Sequence, residues 1–333
     1  MGCKKRKGKI LSMKDEDREK TRQLFADACM FISSKNDKRK KPAHLFYTHF
    51  LLALKYVETE EVGIAAVGFS PDCAAGSLIL NPTNAKNMNL VEFSGVVVHE
   101  ICHLILSHLM VPQLADKRLG KLTNIAMDCE VNQIVMASGY DLPWRVGIVE
   151  SKPDLAIFPI LPETLGEQFK CDPPEINRDW QFYFSWLLDM LDELQKKQEE
   201  QEGSAEKAKE MVDQLLDDLY GQTDHEEWGD MSDMSPEERQ IMEQRIGQAV
   251  EEAAREAGTE GLPGQMRGAI EKLVKRLKPE FSLARYLNEF IARCGEFNPF
   301  VRRRMNKHNL LGLLAFRPEK AVGLVLDTSG FFC

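Results

Sequence analysis

The sequence contains no long hydrophobic run. No uncharged apolar stretch approaches the roughly 20 residues that a membrane-spanning helix needs, and we expect no signal peptide because no apolar segment follows the basic start. Positive charge is also scarce, since 43 Lys and Arg residues face 52 Asp and Glu residues and the net charge is −9. We therefore expect a protein that binds neither a membrane nor nucleic acid.

Paired cysteines are absent as well. The chain of 333 residues has 8 cysteines, and none of them forms a C-x-x-C pair. Scattered cysteines in a chain of this length are typical of reduced thiols and not of a disulfide framework. The sequence therefore predicts a cytoplasmic protein.

Strong helical periodicity is what the sequence does contain. Apolar residues recur at helical spacing over about 44–56, 90–110 and 122–137. Two short apolar stretches, 63–69 and 77–80, are typical of strands around a turn. These patterns predict an α+β fold that is mostly helical, with a small β-sheet beside the helix at 90–110.

An H-E-x-x-H motif lies inside this helix and is formed by His99, Glu100 and His103. Two residues four apart on a helix are separated by about 40° around its axis, so both imidazoles can reach one zinc ion. Glu100 lies beside them, where it can take a proton from a water molecule that the metal makes more acidic. The motif predicts a zinc site with Glu100 as the general base.

A chance match on an ordinary helix is the alternative to this metal site. It is most credible on a charged surface helix, whereas these three residues interrupt a very apolar stretch from Val96 to Leu109. Burying their polar groups without partners would cost several kcal/mol. The apolar setting therefore favours the metal site, in the way expected of the active-site helix of a zincin.

A catalytic zinc site needs a third protein ligand, and His108 is one candidate. It follows His99 by nine residues, which on a continuous helix places it roughly 180° away around the axis. No glycine between Leu104 and Ser107 breaks the helical pattern. We therefore expect the helix to run unbroken through His108, so that this side chain points away from the metal. The alternative is a bend at Ser107, which would return His108 toward the metal.

The helix predicted at 122–137 offers better candidates. Asn124, Asp128 and Asn132 are spaced by four and share one face, while Glu130 lies two positions from that face. A helix that returns from the turn at Pro112 can bring Asp128 to the metal. We therefore favour Asp128 as third ligand, with Glu130 behind it, and assign the two asparagines to helix-face contacts or to support of the ligands.

These motifs resemble those of a known family. Residues 96–103 and 124–132 are similar to the metallopeptidase domain of bacterial and phage proteins that carry a C-terminal von Willebrand factor A-like domain, and 224–228 resembles a D-H-x-x-W stretch of that family. The resemblance implies a zinc metallopeptidase. It also implies an AAA-type ATPase partner, because the A-like domain is an interaction device often found near MoxR-type ATPases. His225 in the D-H-x-x-W stretch is a further candidate for the active-site cleft.

The last residues resemble the first metal-site loop of an A-like domain, D-x-S-x-S, at Asp327 and Ser329. Phe331 stands where that loop has a serine, so an oxygen ligand is missing. A magnesium site needs near-octahedral oxygen ligands, and we therefore expect none here. We interpret this segment as the truncated start of an A-like domain.

Charge and composition divide the chain into five predicted parts. They are a basic N-terminal tail at 1–20, a zincin-like metallopeptidase domain at 21–195, an acidic mobile linker at 196–234, a helical region at 235–320 and the truncated A-like segment at 321–333.

Two functions are compatible with these motifs. The first is zinc-dependent hydrolysis of peptide bonds, with a peptide or protein substrate held by strand addition at 63–80. The alternative is a metal-stabilised protein-interaction module with little or no proteolytic activity. A structural zinc site closes with four protein ligands and needs no glutamate beside the first histidine. Glu100 therefore favours hydrolysis.

Overall fold

The computed structural model describes residues 15–39, 41–69, 75–150, 156–202, 205–220 and 235–277. Most of them are helical, and a small sheet accompanies the helices, so the predicted α+β class is confirmed. In chain order the helices are α1 (Asp15–Ser33), α2 (Leu45–Leu51), α3 (Pro82–Ala85), α4 (Leu90–Ile105), α5 (Lys117–Ala137), α6 (Pro162–Phe169), α7 (Trp180–Glu202), α8 (Ala205–Tyr220), α9 (Pro236–Ala257) and α10 (Gly264–Leu277).

The main sheet has three strands in the order β1-β3-β2, namely β1 (Lys55–Glu58), β2 (Ala65–Gly68) and β3 (Ser77–Leu80). β3 pairs in parallel with β1 and antiparallel with β2. The strand predicted at 77–80 is confirmed, and that predicted at 63–69 forms β2. A second sheet consists of two short antiparallel strands, β4 (Arg145–Val146) and β5 (Ala156–Ile157).

The helix predicted at 44–56 is wrong in its second half. α2 ends at Leu51, and residues from Lys55 onwards form β1. Tyr56 and Val57 favour extended backbone, and their pairing with Leu78 and Ile79 of β3 provides the backbone partners. Pairing with a strand more than 20 residues away therefore decides this segment against its helical periodicity.

α4 begins at a complete capping box. The Asn89 side chain accepts hydrogen bonds from the backbone N–H groups of Val91 and Glu92, and the Glu92 carboxylate accepts one from the Asn89 N–H. Every residue from Phe93 to Ile105 is buried, and the helix packs against β2 and α5. The H-E-x-x-H motif therefore lies on a rigid helix inside the molecule.

α5 lies between two apolar clusters. Val131, Ile134 and Val135 belong to the cluster that includes the sheet, α4, α9 and α10. Ile125 and Cys129 belong to a second cluster with α6, α7 and α8. Apolar side chains therefore cover two sides of α5. Asp128 and Asn132 are buried polar residues on the same helix.

The stretch 196–234, predicted as an acidic mobile linker, includes helical residues among those that the structure describes. α7 runs to Glu202 and α8 covers Ala205–Tyr220. Val212, Leu216 and Leu219 of α8 are buried against the second cluster, since apolar residues at helical spacing lie among the charges. The division into five parts stays a prediction. His225 and the A-like segment lie outside the described residues.

Among the described residues, no helix combines the length and apolar character that crossing a bilayer requires.

Candidate metal centre

α4 and α5 together bring His99, His103 and Asp128 into one buried cluster. The Nε2 atoms of the two histidines are 3.0 Å apart. Asp128 Oδ1 lies 3.3 Å from Nε2 of His103 and 3.7 Å from Nε2 of His99. Asp128, the candidate third ligand chosen from the helix-face pattern, therefore lies beside the two histidines in the fold.

Asn132 determines which nitrogen of His99 faces this cluster. Its Nδ2 donates to the carbonyl oxygen of Ile160 at 3.0 Å, which leaves its Oδ1 as an acceptor for His99 Nδ1 at 2.9 Å. A neutral His99 therefore carries its proton on Nδ1 and presents the Nε2 lone pair to the cluster. Asn132 lies one helical turn after Asp128, so α5 supplies both the cluster carboxylate and the support of a histidine.

The donor chemistry of this cluster fits a metal ion. Two imidazole nitrogens and one carboxylate oxygen converge within 4.8 Å of one another, and these are zinc-type ligands. A carboxylate and nitrogen lone pairs so close together are stabilised by a cation between them. His99, His103 and Asp128 are therefore the described residues that could hold a metal.

Two cysteines adjoin the cluster without joining it. Cys102 on α4 and Cys129 on α5 are both fully buried. Burial raises the pKa of both thiols well above the ordinary value, and the Glu130 carboxylate adds to the increase. Neither thiol belongs to the group of donor atoms that lie within 4.8 Å of one another, which consists of His99, His103 and Asp128.

Glu100 follows His99 on α4 and is 2 % exposed. Its negative charge contributes to the raised pKa of the Cys102 thiol, after burial and the charge of Glu130. Its position thus places a carboxylate in the same low-dielectric interior as the donors. Such surroundings strengthen the interaction of a carboxylate with a nearby proton or cation.

The prediction that the helix runs unbroken through His108 is wrong. α4 ends at Ile105, and Ser107 adopts the left-handed conformation with φ 59° and ψ 30°. The chain then continues as a short 3₁₀ turn, His108–Met110. His108 Nδ1 lies 3.0 Å from His103 Nδ1, on the opposite side of the His103 ring from Asp128. The bend lies at Ser107, the alternative to the continuous helix. The sequence favoured the continuous helix because a left-handed serine has no clear signal in the sequence.

Glu130 belongs to the His108 side of the cluster. Its Oε2 is 3.6 Å from His108 Nε2 and accepts a hydrogen bond from the backbone N–H of Trp180 at 2.9 Å. The structure therefore gives Asp128 and Glu130, two residues apart on α5, different surroundings. Asn124 on the same helix is buried, and its Oδ1 has no hydrogen-bond partner among the described residues.

A groove of about 860 Å³ opens between α10 and the first turn of α7. His108 and Glu130 line it, together with Trp180, Gly268 and Lys272. The cluster residues His99, His103 and Asp128 do not line this groove. The groove therefore reaches His108 and Glu130, and none of the three cluster residues lines it.

Comparison with known families agrees with this geometry. A family model described as "Putative metallopeptidase domain" matches residues 41–303, which include α4, α5 and the whole cluster. Comparison with curated proteins and with solved structures finds no significant match. The match covers well over half of the chain, and the chain therefore belongs to this family of metallopeptidase-like domains.

Proposed function

We propose that the protein is a zinc-dependent peptidase in which His99, His103 and Asp128 hold the metal and Glu100 is the general base. The observation that carries the proposal is the buried cluster of two Nε2 atoms and one carboxylate oxygen, 3.0 to 3.7 Å apart, on the helix that bears the H-E-x-x-H motif. Three protein ligands with an adjacent glutamate are typical of catalytic zinc sites. Membership of the metallopeptidase family supports the same reaction class.

A bound zinc ion supplies positive charge that polarises a peptide carbonyl and acidifies water. Within this chain, His99 and His103 hold their ring positions through the Nδ1 contacts with Asn132 and His108. Glu100 takes the proton of the attacking water and returns it to the leaving amine. Burial of Glu100 and of the donors limits access of bulk water, which strengthens each of these interactions.

Strand addition at β2 is the mode by which an extended substrate would bind. Among the described residues, β2 lies at one edge of the three-stranded sheet and β1 at the other. β2 pairs with β3 and packs against α4, which carries the motif. In strand addition, an extended peptide adds its backbone to a strand of a sheet. A peptide or protein chain added at β2 would be held by the strand that contacts the helix of the motif.

A metal-stabilised interaction module is the second candidate. It is favoured by the deep burial of the donors, since His103 is 0 % and Asp128 3 % exposed. A structural zinc site, however, closes with four protein ligands, and the cluster among the described residues contains three. The number of ligands and the adjacent Glu100 therefore favour hydrolysis.

Metal analysis and one conservative substitution test the proposal. The purified protein is expected to contain about one zinc per chain, and the double variant His99→Ala/His103→Ala is expected to contain none. Glu100→Gln is expected to keep the zinc and to lose hydrolysis of a peptide library by about 100- to 10,000-fold. Glu61→Gln, at an exposed position, is the matched control and is expected to keep both.

The outcomes separate the two candidates. Equal zinc content in the wild type and the double variant would remove the metal site from this cluster. Zinc binding without hydrolysis by either the wild type or Glu100→Gln would favour the interaction module. Unchanged hydrolysis in Glu100→Gln would remove Glu100 from the mechanism.

A further inference from the structure

The turn after α4 returns His108 to the cluster. Left-handed backbone in a residue other than glycine costs roughly 1–2 kcal/mol, and Ser107 adopts it directly before His108. The result is that His108 is 1 % exposed and its ring contacts that of His103. On a continuous helix the His108 side chain would lie about 140° from that of His103. The strained turn therefore serves to place this imidazole.

The contact between the two rings restricts the position of one proton. The Nδ1 atoms of His103 and His108 are 3.0 Å apart, so one nitrogen donates and the other accepts. His103 Nε2 faces the donors His99 and Asp128, and it binds a metal only through its lone pair. The proton of His103 must then lie on Nδ1, and His108 Nδ1 accepts it.

Glu130 favours the matching tautomer of His108. When Nδ1 of His108 accepts, its proton lies on Nε2, which is 3.6 Å from Glu130 Oε2. This distance is too long for a hydrogen bond, but the negative charge of Glu130 stabilises the partial positive charge of an N–H on that side of the ring. The Trp180 N–H holds this carboxylate in place at 2.9 Å. The Glu130 carboxylate, the His108 ring and the His103 ring thus form a series of contacts that ends at the cluster.

We propose that His108, backed by Glu130, is a positioning residue that keeps the His103 Nε2 lone pair directed at the metal, as Asn132 does for His99. This role rests on the proposed metal site. His108 and Glu130, the two third-ligand candidates that lie outside the cluster, would thus support a ligand instead of binding the metal. Outer partners of ligating histidines typically change metal affinity by about 10- to 100-fold.

Two nearly isosteric substitutions test this role. The Oδ1 of an asparagine lies near the place of the imidazole Nδ1, so His108→Asn keeps an acceptor for His103, whereas His108→Leu removes it. Zinc affinity, measured by competition with a chelator, is expected to fall about 10- to 100-fold in His108→Leu and by less than about tenfold in His108→Asn. His49→Leu, at an exposed histidine of α2, controls for loss of a histidine as such.

Glu130→Gln tests the contact between Glu130 and His108. The glutamine keeps an oxygen for the Trp180 N–H and loses the charge that faces His108. Zinc affinity is expected to fall, by less than in His108→Leu. Wild-type affinity in Glu130→Gln would overturn the part assigned to Glu130.

Spectroscopy gives a readout that a packing role would not change. In zinc-loaded protein, ¹⁵N NMR of the imidazoles is expected to show the His103 proton on Nδ1, hydrogen-bonded in the wild type and in His108→Asn and without an acceptor in His108→Leu. Wild-type zinc affinity in His108→Leu, or equal losses in the Leu and Asn variants, would overturn the inference and leave the proposed function intact. A wild-type protein that binds no zinc would overturn both.

Discussion

At the scale of single residues, Asp128 is the member of the cluster that the H-E-x-x-H motif does not supply. Asp128→Ala removes the carboxylate that lies 3.3 Å from His103 Nε2. We expect zinc affinity to fall by more than the roughly 100-fold limit of an outer-partner change. Asn124→Ala, one turn earlier on the same face of α5, is the matched control and is expected to have a much smaller effect. A chelator competition titration compares the two, and equal affinities would exclude Asp128 as a ligand.

His44 is a titratable residue outside the metal cluster. It is 1 % exposed, and its Nδ1 accepts from the Tyr140 hydroxyl at 2.7 Å while Nε2 donates to the Gly261 carbonyl at 3.2 Å. Burial, together with the positive charge of Lys41, lowers the pKa of His44 to about 4. Tyr47 is the other titratable side chain whose ring faces it. His44 therefore stays neutral in the folded protein at neutral pH.

This lowered pKa predicts acid sensitivity. Between its ordinary pKa of about 6.5 and about 4, the unfolded chain binds a proton that the folded protein does not. The free energy of unfolding therefore falls as the pH drops through this window, by about 3 kcal/mol at pH 4. His44→Gln keeps polar atoms and removes the titration.

Urea denaturation of metal-free protein at a series of pH values measures the effect of His44. Working without metal removes the pH dependence of metal binding, and the comparison with His44→Gln isolates the contribution of His44. The wild type is expected to lose more stability than His44→Gln between pH 7 and pH 4. Parallel pH profiles for the two proteins would contradict the assignment.

At the scale of elements, α4 is the helix whose packing positions the site. A Cβ added at Gly95 would lie 2.0 Å from the carbonyl oxygen of Asp141, a backbone atom that cannot move aside easily. Gly95→Ala is therefore expected to destabilise the protein by about 1–3 kcal/mol or more. A Cβ at Gly268 of α10 would meet nothing within 4 Å. Gly268→Ala is expected to stabilise by up to about 1 kcal/mol.

The same substitution is expected to change the free energy of unfolding in opposite directions at Gly95 and at Gly268. Both glycines lie inside helices, so helix propensity alone would make both changes stabilising. Urea denaturation at neutral pH distinguishes them. A stabilising Gly95→Ala would contradict the close approach of residues 140–141 to α4.

At the scale of the whole molecule, the cluster joins α4 to α5, and α5 in turn contacts both apolar clusters. A metal that binds only the folded state stabilises it by about 2.7 kcal/mol when its concentration is 100 times the dissociation constant. Thermal unfolding is therefore expected to shift to higher temperature with zinc and back with a chelator. The variant His99→Ala/His103→Ala is expected to show no shift, and an equal shift in this variant would locate the bound zinc elsewhere.

The order of the elements is where sequence and structure agree most. α5 was predicted at 122–137 and spans Lys117–Ala137, and it starts earlier because the Asp116 side chain caps the N–H groups of Arg118 and Leu119. The ATPase partner, the A-like segment and the cytoplasmic location stay predictions. The zinc ligands and the five-part division also stay predictions until the experiments above test them.

The sequence by itself determined which side chains share a helix face. His99 with His103, and Asn124 with Asp128 and Asn132, follow from the fixed rotation of about 100° per residue. No information from distant residues enters that geometry, so it can be read directly. For the same reason the mostly helical class and the H-E-x-x-H helix were predicted correctly.

Only the tertiary structure decided what meets these faces. The turn at Ser107 returns His108 to His103, and Asn132 rather than Asn124 contacts His99. Glu130 faces His108 and not the cluster of His99, His103 and Asp128. These outcomes depend on packing among α4, α5 and α7, which are separate helices of the chain. The strain of one left-handed residue is offset by that packing. The helical periodicity of the sequence therefore does not predict such contacts.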